Sequence, residues 1–154
     1  MTEILSSASS SSSSSKTAEL DAPLHAIGFE IDVVSSDEVN GTLEVTNTCC
    51  QPFKVLHVFT AHVASGFRRI AGIQLSINHH RSARLGDRVF ARATPIHVGK
   101  TIQVWEVHLW KINPGSSPEK RELLASSKVT LLSNMPVPKE NKDAGDALRK
   151  YAKL

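Results

Sequence analysis

Arg88-Val89-Phe90-Ala91-Arg92-Ala93-Thr94 sets Val89, Ala91 and Ala93 in alternation with Arg88, Arg92 and Thr94, and the run continues to Val98. A period of two is the signature of a strand with one buried face. Three more such runs lie around it: Ile73 to Ile77, Thr101 to Ile112 and Leu123 to Ser133. Leu85-Gly86-Asp87, Val98-Gly99-Lys100 and Asn113-Pro114-Gly115 separate them, and these are turn-forming tripeptides. The pattern predicts an antiparallel meander of long strands. Upstream, Ile27 to Val33 and Val39 to Val45 alternate about Ser35-Ser36-Asp37 and read as a strand pair. Between the two halves, Val58 to Arg69 places Phe59, Val63 and Phe67 on one helical face, with Gly66 weakening a helix of about three turns at most. The sum is about six strands and one helix, an α+β domain with one sheet wrapped against that helix.

The 154 residues, 40% of them hydrophobic, suit one domain with tails. Residues 1–21 hold Ser6, Ser7 and the run Ser9 to Ser15, too polar to offset ordering entropy, and are expected to be a disordered tail. Residues 22–134 form the domain. Residues 135–154 are a charged tail. The net charge of +3 comes from interspersed residues, and no basic stripe is interleaved with aromatics, so nucleic acid is not the expected partner. No apolar run nears the ~18 residues that span a bilayer, and no basic n-region precedes an apolar h-region; neither a membrane anchor nor secretion is expected. Cys49 and Cys50 are adjacent, which disfavours a mutual disulfide and fits a reducing compartment.

Chemistry concentrates in the middle of the chain. Cys50-Gln51-Pro52-Phe53-Lys54-Val55-Leu56-His57 reads as a rigid turn delivering polar side chains to a pocket. From Val45 to Gly86 there is no Asp or Glu, while Lys54, Arg68, Arg69, Arg81 and Arg84 supply cations. Such a segment attracts an anion but holds no carboxylate to act as a base. The histidines, His79-His80 included, lack Cys or carboxylate partners at ligand spacing, so no metal is expected, and no nucleotide-binding fingerprint or other cofactor motif is present.

Gln51-Pro52-Phe53 with His57, Asn78-His79 with Arg81-Ser82-Ala83-Arg84 and Gly86, Gly99-Lys100 with Gln103-Val104-Trp105, and Ser126-Ser127-Lys128-Val129-Thr130 together resemble the hot-dog-fold acyl-CoA thioesterases. Within that family they are most similar to the 1,4-dihydroxy-2-naphthoyl-CoA thioesterases of plants and their bacterial menaquinone-pathway counterparts. The resemblance covers residues 22–134. It implies a sheet curled around a central helix, subunits that pair their sheets into a homodimer or homotetramer, and active sites at the interface. The implied reaction is hydrolysis of an aryl- or acyl-CoA thioester to the acid and CoA, serving phylloquinone synthesis in plant peroxisomes. Ala152-Lys153-Leu154 separately resembles the Ser-Lys-Leu address read by the peroxisomal import receptor.

The resemblance implies that Gln51 orients the carbonyl or a water, that His57 donates to the thioester carbonyl, and that Arg81, Arg84, Lys100 and Thr101 hold the CoA nucleotide, with Ser127 joining across the interface. It breaks after His57. By the resemblance, family members continue with Gly-Gly at a helix start and a Glu on the helix's second turn, which acts as nucleophile or base. Here Val58-Phe59-Thr60 follows, the match resumes near Ala61, and about a dozen residues, some three helical turns, are missing. His62 and Glu106 are weak substitutes for the Glu, and Cys49 and Cys50 weaker nucleophiles. Trp105 and Trp110 read as packing residues. The expectation is a form of an active enzyme shortened by exon skipping, by alternative splicing or by a wrongly drawn reading frame, poorly folded or inactive as it stands. The alternative is a non-catalytic subunit that binds acyl-CoA or pairs with a full-length paralogue.

Overall fold

A computed structural model describes residues 15–49, 69–115 and 117–152. Six strands, β1 (Phe29–Val34), β2 (Val39–Glu44), β3 (Arg69–His79), β4 (Arg88–Val98), β5 (Ile102–Ile112) and β6 (Glu122–Met135), form one sheet in the order β1-β2-β4-β5-β6-β3. Every neighbouring pair is antiparallel. The meander read from the sequence is the β4-β5-β6 block. The fourth run of that reading, β3, is placed on the far edge beside β6, so the expected neighbours β3 and β4 are separated by two strands.

Alternation decides which side chains turn inward. Phe29 and Ile31 of β1, Val39 and Leu43 of β2, Val89, Ala91 and Ala93 of β4, and Gln103, Trp105 and Val107 of β5 are all buried on one face. Phe90, Arg92, Glu106, His108 and Trp110 take the other. A register shift between Ile31 and Val33 returns Val34 to the inner face. Gly41 is required where it stands: a Cβ there would collide with the Glu30 carbonyl oxygen and come within 2.6 Å of the Phe29 ring, which lies over the bare backbone.

Two clusters fill the inner face. Over β1, β2 and β4, Phe29, Ile31, Val34, Val39, Leu43 and Ala91 are closed off by Leu24 and Leu148. Those two come from short helices, α2 (Ala22–Ala26) and α3 (Asp146–Tyr151). Asp21 caps α2, its side chain accepting from Leu24 N at 2.9 Å. The charged C-terminal stretch is therefore folded onto the domain, with Lys150 Nζ 2.9 Å from Glu19 Oε2. That bond first, and Tyr151 second, hold the Glu19 carboxyl below its usual range. The second cluster is Trp105, Val129 and Leu131, packed with Ile70.

The two sheet edges differ. Helix α1 (Lys16–Leu20), which begins where Ser15 ends the serine run and caps Ala18 N, lies against β1. Its Thr17, fully buried, accepts from Ile31 N at 2.8 Å, and Lys16 Nζ donates to Asp32 O at 2.6 Å. Side chains thus occupy two of the backbone groups that an edge strand would otherwise offer to another chain. β3 has no such cover among the described residues, and Ile73, Leu75 and Ile77 are 57%, 47% and 38% exposed.

Candidate CoA site

The β3–β4 loop is pinned at several points. His80 N and Arg81 N both donate to Leu124 O, at 2.9 and 3.1 Å, and His80 Nε2 shares a 2.9 Å hydrogen bond with Ser126 Oγ. Gly86, at a φ of 84° that only glycine takes without strain, donates to Val45 O, while Val45 N donates to Asp87 O. Asp87 is the keystone: one carboxyl oxygen accepts from Arg84 N at 2.8 Å and the other meets Lys111 Nζ at 2.9 Å. The Lys111 ammonium first, then the Arg84 N–H, hold this carboxyl below its ordinary value, so it stays anionic and keeps the loop shape through the neutral range.

This loop brings Arg81 and Arg84 together at one end of the sheet. Arg81 forms an exposed ion pair with Glu122, Nη1 to Oε1 3.0 Å, a contact that a phosphate can replace because an exposed pair is worth little. Arg84 is solvent-exposed. Lys100 and Thr101 are elsewhere. They form the β4–β5 turn, where Ser133 N donates to Thr101 O and Ser133 Oγ to Lys100 O, at 2.7 and 3.1 Å. β4 separates the two ends by 11 residues, about 35 Å. Ser127 lies between, opposite Ile77 on β3 and Val107 on β5. The five side chains grouped by sequence are therefore not one cluster within a protomer.

Gln51, His57, His62, Cys50, Lys153 and Leu154 lie outside the described residues; Ala152 packs against the α3 side of the core. Glu106 occupies the outer face, 4.0 Å from His108, turned away from the Trp105 side of the strand. It cannot stand in for a base acting on the inner face. Trp105 is fully buried, its Nε1 donating to Gln103 Oε1 at 2.9 Å. Trp110 stacks between His108 and Phe90, with Arg121 over the Phe90 ring at 4.2 Å. The residues that shape the loop, Asp87, Lys111 and Glu122, were not singled out in the sequence. Asp87 after Gly86 carried a local signal as a turn acceptor, whereas Lys111 and Glu122 are brought in only by strand pairing.

Residues 57–117 match the thioesterase superfamily family model. The chain is 46% identical to 1,4-dihydroxy-2-naphthoyl-CoA thioesterase 2 of Arabidopsis thaliana, an alignment covering 85% of this chain and 91% of the relative. It is 30% identical to 1,4-dihydroxy-2-naphthoyl-CoA hydrolase of Escherichia coli, over 68% of this chain and 82% of the relative. Among solved structures, thioesterase superfamily member 2 of zebrafish shares the fold with a TM-score of 0.62 at 13% identity, over 77% of this chain and 93% of that one. The plant alignment runs over 143 residues, yet 85% of 154 is about 131, leaving this chain about 12 short. The bacterial alignment runs over 120, against about 105 contributed here. Both agree in size with the break after His57. A six-stranded antiparallel sheet of this order, a matching family model and a plant relative aligned over most of both chains make this protein a member of the hot-dog acyl-CoA thioesterase family.

Proposed function

We propose that this chain binds the CoA portion of an aryl-CoA thioester of the 1,4-dihydroxy-2-naphthoyl type and that, as it stands, it lacks the base for hydrolysis. The observation that carries the reading is the rigid loop presenting Arg81 and Arg84 in a stretch, Val45 to Gly86, without a single carboxylate. Hydrolysis requires a general base, a carboxylate by the resemblance, to take a proton from water as its oxygen adds to the thioester carbon and to pass that proton to the departing sulfur. The C–S bond then breaks and the sulfur leaves as the thiol of CoA. Two cations on a fixed loop supply the first half of that task, recognition of phosphates.

In this proposal the functional unit is a dimer. Antiparallel pairing of two β3 edges sets one protomer's His80–Asp87 loop beside the other's Lys100–Thr101 turn, which supports the interface role expected for Ser127. Gln51 and His57 belong to the same proposal as the carbonyl-facing residues. Calorimetric titration with CoA tests it. Arg84→Ala is expected to weaken binding about tenfold, the scale of one charge-assisted hydrogen bond, while Arg121→Ala on the outer face leaves it unchanged. Equal affinities for wild type and Arg84→Ala would reject the loop as the nucleotide site.

The peroxisomal setting, and with it phylloquinone synthesis, rests on Ala152-Lys153-Leu154. A fluorescent protein ending in residues 135–154 is expected to collect in peroxisomes of plant cells, with Lys153→Glu releasing it to the cytosol. Cytosolic fluorescence from the unaltered fusion would remove that assignment.

A further inference from the structure

The described residues bury three polar side chains, and two of them are engaged. Thr17 Oγ1 donates to Glu30 Oε2 at 3.0 Å and accepts from Ile31 N at 2.8 Å, and Ser133 Oγ donates to Lys100 O at 3.1 Å. Gln103, 1% exposed, is the exception. Its Oε1 accepts from Trp105 Nε1 at 2.9 Å, while its Nε2 is buried with no hydrogen-bond partner among the described residues. The amide cannot be turned over to improve this. An indole N–H only donates, so it holds Oε1 toward itself and leaves the NH2 as a donor of fixed direction. An unpaired buried donor is a cost that an acceptor carried in by a ligand removes.

The surroundings of this amide define the ligand. Gln103 stands on the inner face in register with Val98 on β4 and Leu131 on β6, and the next inward pair, Trp105 and Val129, continues to Leu75 on β3. Apolar surface carrying one oriented donor fits a flat aromatic group with an oxygen substituent. Measured along β5, Gln103 is eight residues from Lys111, the partner of Asp87 in the Arg84 loop, a span of about 27 Å that places it toward the acyl end of an extended thioester whose phosphates lie on that loop. We infer that Gln103 is a specificity-determining residue, its Nε2–H donating to a ring oxygen of the bound aryl group. The inference rests on the CoA-binding reading above and names the feature of the acyl group that the site selects. In a 1,4-dihydroxy-2-naphthoyl group the 1-hydroxyl is ortho to the acyl carbon and closes an internal hydrogen bond to the thioester oxygen. The 4-hydroxyl, across the ring, is the free acceptor, and it is the one assigned to Gln103.

The test compares 1,4-dihydroxy-2-naphthoyl-CoA with 1-hydroxy-2-naphthoyl-CoA, which lacks only the 4-hydroxyl, by calorimetric titration of the full chain, with CoA alone as the reference ligand. The unaltered chain is expected to bind the dihydroxy thioester about tenfold more tightly, the scale of one hydrogen bond to a donor that otherwise has none. Gln103→Met keeps the side chain's length and removes the donor; it is expected to bring the two thioesters within about twofold of each other while CoA alone binds as before. Arg84→Ala, by contrast, is expected to weaken both thioesters alike, because it acts on the nucleotide they share. The comparison on the unaltered chain needs no variant and decides the matter even where Gln103→Met fails to fold. Equal affinities for the two thioesters in the unaltered chain, or a preference that survives Gln103→Met, would each overturn the inference. Failure of the underlying reading shows separately, as a chain that binds neither CoA nor either thioester.

Discussion

Inserting the absent stretch between His57 and Ala61 is expected to raise thiol release from 1,4-dihydroxy-2-naphthoyl-CoA by at least ~10²-fold over the chain as it stands. A positioned general base contributes about 10²–10⁴-fold, and a backbone N–H aimed at the developing oxyanion about 10²–10³-fold. In the proposed reading both belong to the stretch that is absent here. The chain as it stands is expected to keep the proposed CoA recognition, since Arg81 and Arg84 sit on a loop fixed by β6, Lys111 and Asp87 rather than by the missing segment. A third variant, with the stretch restored but its Glu replaced by Gln, separates the base from the helix that carries it; it should recover the fold and little of the rate. Equal turnover in the short and restored chains would refute the claim that the gap removes catalysis. A melting curve on the same pair reports the structural share: about four further apolar side chains, at about 1.5–3 kcal/mol each, are comparable with a domain's whole stability.

The second large effect concerns Trp105. It is the largest fully buried side chain and joins Val129 and Leu131 in the smaller core cluster. Trp105→Ala is expected to cost about 3–5 kcal/mol from the lost burial and the cavity left behind. Trp105→Phe isolates a different contribution. It keeps most of the volume but removes the indole N–H that donates to Gln103 Oε1, and Gln103 Nε2 is already buried without a partner. That single change leaves both ends of a buried amide unsatisfied, a penalty of about 1–3 kcal/mol. Trp110→Phe, on the half-buried outer face against His108 and Phe90, should cost about 1 kcal/mol or less. Urea titrations followed by far-ultraviolet circular dichroism measure all three. A Trp110 variant as destabilised as Trp105→Ala would mean that the outer face, not the inner, carries the packing.

Much of the fold was legible because a half-buried strand writes its orientation into the chain every second residue. Val89, Ala91 and Ala93 announced their face, and the structure buries all three. Trp105 was read as a packing residue and is one. The end of the serine run was less legible: Ser15 to Asp21, assigned to a tail by composition, contains two capping side chains and Thr17, which is buried against β1. Composition averages over a segment, while a cap or an edge contact needs one residue in the right place. Likewise Leu148 lies in a charged stretch, and only its contact with the Phe29 and Leu43 cluster shows that the stretch folds back.

The site divides in the same way. Sequence by itself determined the family, the cation-rich and carboxylate-free character of Val45 to Gly86, and the break after His57, since residue identity and spacing are linear properties of the chain. Only tertiary structure decided that Arg81 and Arg84 share a loop clamped by Asp87, that Lys100 and Thr101 stand at the other end of the sheet, and that Glu106 faces outward. It also decided that side chains of α1 cover one sheet edge while the other has no such cover among the described residues. The reason is strand order. β3 is adjacent to β4 in sequence but pairs with β6, and which residues meet across a sheet, or are left at its edge, is fixed by that pairing rather than by distance along the chain.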